Sequence, residues 1–330
     1  MTLAWSAWRR ATSLESFTEL NVGRTLELGG SRINIRSLEP AVLDSVLWPT
    51  TAVPSKPQAQ MSLGVVQVVV ASWERLSARF PGIRWESDNA LERRDDFLAL
   101  AEPMGQALSF HNLSTQITVW AIRDPEDPRW RRPEFVRPLV SRAAEQVGAI
   151  PAHGATLGNG NAGVLLTARG GSGKSSLTMA GIHRGLRSAG DDFLALVQSH
   201  EALHAYPLFR VGKLAASSPA WNLVRPVPDS GGELAKHLVE LEGISGETPM
   251  VPQKLTAAVI PWQGASVGLT RASNKDLLDA LLPSSAVLSS SPGSLSCALA
   301  AMVNPLPVLR LELTSALEGA LDIIEELLAR

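Results

Sequence analysis

Short apolar runs separated by polar turns predict a mixed α/β fold in the first half of the chain. Two Val- and Ile-rich runs, Ile33–Ile35 and Val65–Val70, predict strands. Apolar residues at helical spacing predict helices at Ala41–Leu47 and Pro138–Gln146. A further strand is predicted where apolar and polar residues alternate, at Leu113, Thr115, Ile117 and Val119.

Two segments have a composition that predicts loops. Asp124–Arg137 is rich in Pro, Arg and acidic residues, which is typical of a solvated connector; a loop that contacts substrate is the alternative. Pro283–Ser294 is rich in Ser and Pro, and it predicts a flexible loop. Neither segment is therefore expected to form a helix or a strand.

From about residue 149 the pattern predicts strands that alternate with helices. Ala162–Thr167 is a short apolar run between Gly-rich segments, typical of a strand buried in a parallel sheet. Ser175–Arg184 predicts a helix that ends at Gly185. Leu186–Ala189 and Phe193–Val197 then predict a strand that carries the acidic pair between them.

The C-terminal end predicts a strand followed by an amphipathic helix. Val308–Leu313 alternates as a strand does, and Ser315-x-x-Glu318 predicts a capping box that opens a helix ending at Leu328. The helical spacing predicts a buried stripe of Leu317, Ala320, Leu321, Ile324 and Leu328. The opposite face is expected to meet water through Glu318, Asp322, Glu325 and Glu326.

Length and composition fit two folded domains. The chain has 330 residues, of which 45% are hydrophobic, enough to bury a large core and to exclude general disorder. Most of the nine tryptophans precede residue 149. This shift in composition predicts an N-terminal α/β domain over residues 1–148 and a second domain over residues 149–330.

Charge and cysteine content limit which partners, disulfides and metal sites are expected. Thirty basic and thirty-two acidic residues give a net charge of −2, so no nucleic acid or anionic membrane partner is expected. Cys297 is the single cysteine, which excludes an intrachain disulfide and a Cys-based zinc site. Neither a signal peptide nor an apolar run of membrane-spanning length is recognised, so a cytoplasmic location is expected.

The strongest motif lies between the predicted strand at 162–167 and the helix that follows. It matches a Walker A phosphate loop, except that Ala168 stands where the motif has its first Gly. Such a loop turns backbone N–H groups toward phosphate oxygens, while its Lys reaches the β- and γ-phosphates and its hydroxyl holds Mg²⁺. The predicted nucleotide-binding residues are Arg169, Gly170, Gly171, Ser172, Gly173, Lys174, Ser175 and Ser176.

An acidic pair narrows the chemistry. Asp191 and Asp192 follow Lys174 by seventeen and eighteen residues, on the next predicted strand. Successive strand residues point to opposite faces, but a strand end or a bulge can turn both toward one site. Two such carboxylates can divide the work of phosphoryl transfer, because one can hold Mg²⁺ while the other accepts a proton from a hydroxyl acceptor.

The block Gly163–Asp192 resembles the core of the HPr kinase/phosphorylase family and its relatives. The phosphate loop, the helix, the Arg184-Gly185 pair and the Asp pair fall at the family spacing, as does His153, fifteen residues before the phosphate loop. The resemblance covers Pro151–Asp192. It implies a P-loop kinase core of the HPr-kinase type beside a separate N-terminal α/β domain.

The resemblance also implies roles for individual residues. Lys174 would hold the β- and γ-phosphates of ATP, with GTP as the alternative. Ser175 and Asp192 would hold Mg²⁺, Asp191 would be the general base, and His153 would lie beside Asp191 and position or tune it.

One family signature differs here, and this difference affects the expected substrate. The signature linked to phosphorolysis has its nearest match at Glu240–Ser245, where Glu242 replaces an Arg. The chain resembles more closely the relatives that phosphorylate ribosomally made peptides, among them lasso-peptide kinases that act on a terminal Ser. This resemblance implies that the substrate is a peptide or protein with a Ser hydroxyl, and that the N-terminal domain recognises it. Because HPr kinases are oligomeric, a homo-oligomer is a candidate assembly.

Phosphoryl transfer also needs a cation near the developing charge. Arg169 and Arg271 are candidates, but Arg210 and Lys213 are preferred because they follow the Asp pair closely. The expected activity is therefore Mg²⁺-dependent transfer of a γ-phosphoryl group to a hydroxyl. A nucleotide-binding sensor without transfer activity and a small-molecule kinase are the alternatives.

A rival motif predicts a different class of enzyme. His200-Glu201-Ala202-Leu203-His204 is a literal H-E-x-x-H, which on a helix would place both His side chains on one face for zinc, as in a metalloprotease. The stretch follows a predicted strand and precedes Tyr206-Pro207, so there is little room for that helix. The zinc hypothesis is therefore the weaker one.

Overall fold

The computed structural model describes residues 22–37, 39–51, 53–54, 66–80, 91–94, 97–101, 107–112, 114–115, 117–199, 202–228, 236–245, 250–285 and 292–330. Contacts divide the chain into two compact units, Met1–Val147 and Gly148–Arg330. Both units mix helices with sheets, so the fold class is α/β. No helix among the described residues is both long and apolar enough to cross a bilayer.

The described part of the first unit forms one mixed sheet of eight strands with three helices. The strands are β1 (Val22–Leu28), β2 (Ser31–Ser37), β3 (Val53–Pro54), β4 (Val66–Ser72), β5 (Leu91–Arg94), β6 (Phe97–Ala101), β7 (Ala107–Asn112) and β8 (Ile117–Ile122). The helices are α1 (Pro40–Leu47), α2 (Trp73–Arg79) and α3 (Pro133–Gln146). The strand order is β3-β1-β2-β4-β8-β7-β6-β5, with β4 parallel to both β2 and β8.

The apolar pattern explains most of this unit. The predicted strands at Ile33–Ile35 and Val65–Val70 are confirmed as parts of β2 and β4, apart from Val65, which lies outside the described residues. The predicted helix at Ala41–Leu47 is confirmed and begins one residue earlier, at a Pro whose fixed φ suits the first helical position. All three helices pack against β4, whose Val-rich residues are buried.

Two predictions for this unit are wrong. The alternation from Leu113 to Val119 does not form one strand, because Ser114 and Thr115 make a turn between β7 and β8. The side-chain oxygen of Asn112 stabilises this turn by accepting hydrogen bonds from the backbone N–H groups of Ser114 and Thr115. Leu113 itself lies outside the described residues. Asp124–Arg137 is not all loop either, since it contains a 3₁₀ helix at Pro128–Arg131 and the first turn of α3.

The described part of the second unit has ten strands and five helices. The strands are β9 (Ile150–His153), β10 (Ala155–Gly158), β11 (Gly163–Leu166), β12 (Phe193–Gln198), β13 (Leu203–Pro207), β14 (Val211–Ala215), β15 (Lys236–Glu240), β16 (Gln253–Gln263), β17 (Gly268–Arg271) and β18 (Val308–Leu313). The helices are α4 (Lys174–His183), α5 (Glu242–Ser245), α6 (Asn274–Ser285), α7 (Pro292–Val303) and α8 (Glu318–Leu328).

Strand β16 is the centre of this unit. The sheet order is β10-β11-β16-β13-β12-β9, and β18 pairs with both β16 and β17, while β14 and β15 form a separate pair. β16 runs parallel to β11 and to β18, so the carboxyl ends of these three strands meet at one edge. Alternate residues of β16 enter two cores: Val259 packs with α4 and α8, and Ile260 packs with α6 and α7.

The helix predicted at Ser175–Arg184 is confirmed within one residue at each end, and Gly185 follows it with a φ of +101°. The strand predicted at Val308–Leu313 is confirmed as β18. The buried stripe of α8 is confirmed as well. The buried strand predicted at Ala162–Thr167 is β11, but its sheet is mixed, because β10 pairs with it in antiparallel fashion.

Three predictions for the second unit are wrong. Asp191 and Asp192 precede β12 instead of lying within a strand. The capping box is absent, because α8 begins at Glu318 with Leu317 at its N-cap and no side-chain cap. Pro283–Ser294 is helical at both ends, with Pro283 inside α6 and α7 beginning at Pro292; residues 286–291 lie outside the described part of the chain.

Candidate active site

The phosphate loop connects β11 to the first turn of α4. Gly171 and Gly173 have φ of +83° and +94°, in the left-handed region that favours glycine. At Gly173 a Cβ would also lie 2.6 Å from Nε2 of Gln263 and 2.8 Å from Cδ1 of Leu313. The loop therefore needs glycine at 173 for two independent reasons, and it leads directly into a helix N-terminus, where anions are favoured.

The ammonium of Lys174 turns toward the acidic pair. Its Nζ donates to the carbonyl oxygen of Asp191 at 2.5 Å and lies 3.9 Å from Oδ1 of the same residue. Lys174 is only 8% exposed, so this charge is held in a fixed place instead of moving through water. The loop lysine and the first Asp of the pair therefore belong to one site.

Asp191 has one carboxylate oxygen that accepts a hydrogen bond and one that accepts none among the described residues. The side chain is 1% exposed, and Oδ2 accepts from the backbone N–H of Lys213 at 3.3 Å. Oδ1 is buried and has no hydrogen-bond partner among the described residues; the same holds for Oγ of Ser172 and Nδ1 of His153. Because a buried polar atom without a partner costs free energy, a bound ligand that contacted these atoms would lower that cost.

Strand β14 approaches Asp191 closely because it carries a glycine there. A Cβ at Gly212 would lie 2.9 Å from Oδ2 of Asp191 and 2.8 Å from Cε of Met179. Both are closer than carbon normally approaches a neighbour. Gly212 therefore sets how near Lys213 comes to the acidic pair.

We expect Gly212→Ala to destabilise the second unit by about 1 to 3 kcal/mol, because the added methyl group overpacks a buried site. It should also weaken nucleotide binding, because a shift of the Asp191 backbone would move the carbonyl that holds Nζ of Lys174. Urea unfolding and nucleotide titration measure the two effects. The matched control is Gly268→Ala on strand β17, where an added Cβ meets nothing within 4 Å. Equal losses of stability in the two variants would contradict the close approach of Gly212 to Asp191.

The carboxylate of Asp192 accepts one hydrogen bond from a histidine side chain and one from a lysine side chain. Its Oδ1 accepts from Nε2 of His153 at 3.1 Å, and its Oδ2 accepts from Nζ of Lys213 at 3.3 Å. Burial alone would raise the pKa of Asp192, but the hydrogen bond from His153 and the charges of Lys213 and Lys174 outweigh it and hold that pKa well below its ordinary value. Asp192 therefore remains ionised throughout the neutral range.

This low pKa predicts a pH-dependent stability. Since the unfolded chain would bind a proton near pH 4 and the folded chain only at lower pH, the stabilisation by Asp192 is complete above about pH 5 and is lost as the pH falls. We expect the free energy of unfolding of the wild type to fall more steeply in acid than that of Asp192→Asn. Urea unfolding at a series of pH values tests this; parallel curves for the two proteins would contradict it.

One network of contacts joins five of the predicted site residues, with one exchange of partners: His153, Lys174, Asp191, Asp192 and Lys213. His153 contacts Asp192, not Asp191 as the resemblance implied, because β9 pairs with β12 and the N–H of Gly154 donates to the carbonyl of Asp192 at 3.0 Å. Lys213 lies beside the acidic pair, because its Nζ donates to Asp192. Arg210 directly precedes β14, where its carbonyl accepts from Leu241, and its catalytic role stays a prediction.

The residues present suit Mg²⁺. Ser175 lies in the first turn of α4, half-buried, and together with the ionised Asp192 it would offer the hard oxygen ligands that Mg²⁺ prefers. No group of three or more His, Cys, Asp or Glu side chains that could hold a metal occurs among the described residues.

The H-E-x-x-H hypothesis does not fit the described backbone. His204 lies in the extended strand β13, opposite Val197, and its ring lies 6.3 Å from that of Tyr206. His200 and Glu201 lie outside the described residues. Since a zinc site of this kind needs a helix that continues through His204, the conformation contradicts it.

Two contacts of the phosphate loop were not predicted. Nε2 of Gln263 donates to the carbonyl of Ser172 at 3.3 Å, and the hydroxyls of Ser176 and Ser218 share a hydrogen bond of 2.7 Å. Gln263 ends the apolar run of β16 at the edge where the phosphate loop leaves β11. That position, the carboxyl end of a neighbouring parallel strand, is the sequence signal that could have identified it.

No protein-family model and no curated protein matches this chain. Solved structures do match, and one of them is the Hpr(Ser) kinase/phosphatase from Coxiella burnetii. It is 14% identical to this chain, with an alignment that covers 55% of this chain and 93% of that chain and a TM-score of 0.27. At this identity and TM-score the likeness transfers no activity, so conclusions about function depend on the chemistry of the residues around the phosphate loop.

Proposed function

We propose that this protein is a Mg²⁺-dependent kinase that transfers the γ-phosphoryl group of ATP or GTP to a hydroxyl. One observation carries the proposal: the buried ammonium of Lys174 lies 3.9 Å from Oδ1 of Asp191, a buried carboxylate oxygen without a hydrogen-bond partner among the described residues. A cation that binds phosphate thus lies beside an oxygen that is able to accept a proton.

The residues divide the work of phosphoryl transfer as follows. Loop N–H groups and the N-terminus of α4 bind the phosphates, and Lys174 holds the β- and γ-oxygens. Ser175 and Asp192 would hold Mg²⁺, which supplies positive charge to the β- and γ-phosphates when bound. His153 and Lys213 keep Asp192 ionised and in place.

Asp191 is the proposed general base. Its free Oδ1 accepts the proton of the acceptor hydroxyl, while the hydroxyl oxygen bonds to the γ-phosphorus and the bond from that phosphorus to the β–γ bridging oxygen breaks. The nucleoside diphosphate leaves with that bridging oxygen. The ammonium of Lys174 is proposed to stabilise the negative charge that develops on that oxygen.

The acceptor is proposed to be a Ser of a peptide or protein, bound by the first unit. The choice is supported by the resemblance of the chain to the peptide-modifying relatives of the HPr kinases, which share the core at Gly163–Asp192, and by the replacement of the signature Arg with Glu242. Recognition by a separate unit is consistent with the division of the chain after Val147.

Matched acceptor panels test the proposal. Peptides that contain Ser, the same peptides with Ser replaced by Ala, and small hydroxylated molecules are incubated with Mg²⁺ and ATP, and intact mass is recorded. We expect a mass increase of one phosphoryl group on Ser peptides only. Phosphorylation of the small molecules alone would contradict the peptide acceptor, and nucleotide binding without any phosphorylated product would indicate a sensor.

A further inference from the structure

Gln263, at the end of β16, contacts one peptide group of the phosphate loop. Its Nε2 donates to the carbonyl oxygen of Ser172 at 3.3 Å, and a Cβ at Gly173 would lie 2.6 Å from the same nitrogen. The carboxamide of Gln263 therefore lies against the peptide bond that joins Ser172 to Gly173. Because the donor belongs to β16, the carbonyl oxygen of Ser172 is turned toward that strand.

The direction of this carbonyl also sets the direction of an N–H group. A trans peptide is planar, so its C=O and its N–H point in opposite directions. The N–H of Gly173 therefore points away from Gln263. Gly173 is the N-cap of α4, where a backbone N–H has no acceptor within the helix. This N–H is thus one of the groups that can bind a phosphate oxygen at the start of α4.

The backbone of the loop does not by itself fix this peptide group. The N–H of Gly173 reverses its direction when ψ of Ser172 and φ of Gly173 change together. The φ of Gly173 is +94°, and glycine adopts positive and negative φ about equally well. The reversed peptide would turn the Ser172 carbonyl away from Gln263 and break their hydrogen bond. This hydrogen bond therefore favours the observed orientation.

The strand end that carries Gln263 is itself held in place. Gln263 pairs opposite Leu313 of β18, and the N–H of Gly264 donates to the carbonyl of Leu313 at 2.9 Å. In the turn that follows, Oε1 of Glu312 accepts from the N–H of Ala265 at 2.8 Å. The carboxamide is thus presented by an ordered backbone, which lowers the entropy cost of holding it against the loop.

We propose that Gln263 is a positioning residue for nucleotide binding, which keeps the N–H of Gly173 directed at the phosphates by holding the carbonyl of Ser172. The inference rests on the proposed function, because it requires a nucleotide in the phosphate loop. The N–H of Gly173 meets a phosphate group and no other part of the ligand. Gln263 therefore contributes the same factor to the affinity for ATP, GTP and inorganic tripolyphosphate.

The test removes the donor and keeps the bulk of the side chain. Methionine is close to glutamine in length and volume but donates no hydrogen bond. Affinities for Mg·ATP, Mg·GTP and tripolyphosphate are measured by calorimetry for the wild type and Gln263→Met. We expect all three ligands to bind more weakly by the same factor, about 3- to 10-fold, as for the loss of one hydrogen bond.

A matched control and a direct readout accompany the affinities. Gln198→Met is the control, because Gln198 also ends a strand and donates from Nε2 to a carbonyl, that of Ser199, at 2.8 Å; it should bind all three ligands as the wild type does. The readout is the amide chemical shift of Gly173 in protein labelled with ¹⁵N-glycine. We expect this shift to differ between the free wild type and free Gln263→Met, and the difference to close at saturation with tripolyphosphate, because the anion selects one orientation in both proteins.

The outcomes separate this proposal from the one it rests on. If Gln263→Met binds all three ligands as the wild type does, or loses affinity for the nucleotides alone, the positioning role is wrong and the phosphate site stands. The same holds if the shift difference at Gly173 persists unchanged at saturation. If the wild type binds none of the three ligands, the proposed function is wrong and the role of Gln263 is wrong with it.

Discussion

Replacing Asp191 with Asn is expected to lower the rate of phosphoryl transfer by about 10²- to 10⁴-fold, the usual contribution of a general base. The amide is nearly isosteric, and its oxygen can still accept from the N–H of Lys213, the bond that Oδ2 now makes. Its NH₂ group would then occupy the place of Oδ1, which accepts no hydrogen bond among the described residues, and present donors where a proton must be accepted. Nucleotide affinity should stay near that of the wild type.

The measurement is a single-turnover transfer assay with nucleotide binding measured alongside. Asp322→Asn supplies the matched control, because it makes the same chemical change at an exposed residue of α8 that pairs with Arg184. Wild-type transfer by Asp191→Asn would exclude Asp191 as the base.

Lys174→Met should lower transfer by about 10²- to 10³-fold and weaken Mg·ATP binding as well. Methionine approximates the length and volume of the lysine stem but removes the ammonium, which is fixed against the Asp191 carbonyl in a residue that is 8% exposed. Both the ground state and the transition state would then lack one charge on the β- and γ-oxygens. This double loss distinguishes Lys174 from Asp191, whose replacement should affect the rate alone.

Calorimetry with Mg·ATP and the same transfer assay measure the two effects, and circular dichroism verifies that the variant is folded. Lys275→Met is the control, since Lys275 is exposed and pairs with Asp279 one helical turn away. If Lys174→Met bound Mg·ATP with unchanged affinity, the phosphates would have to lie elsewhere.

Features encoded by neighbouring residues could be predicted from the sequence. The phosphate loop is one, because its turn depends on glycines that directly precede α4 and β11 directly precedes the loop. The buried stripe of α8 is another, since spacing along one helix determines which side chains meet the core. The capping box failed because Ser315 lies outside the helix, which starts with Leu317 at its N-cap.

Features that depend on distant pairings could not be predicted. His153 contacts Asp192 because of the register of β9 against β12, across thirty-nine residues of chain. Gly212 approaches Asp191 only once β14 is in place, and Gln263 reaches Ser172 from ninety-one residues further along the chain. No local pattern encodes these contacts.

The central claim is that one site binds a nucleotide and passes its γ-phosphoryl to a hydroxyl through Asp191. Phosphorus NMR tests it most directly, with Mg·ATP and a mixture of Ser peptides added to the wild type or to Asp191→Asn. In the wild type, the γ resonance of ATP should disappear as a phosphate-ester resonance and ADP appear in equal amounts, while the variant binds ATP and forms no ester. Bound ATP whose γ resonance persists in the wild type would contradict the claim.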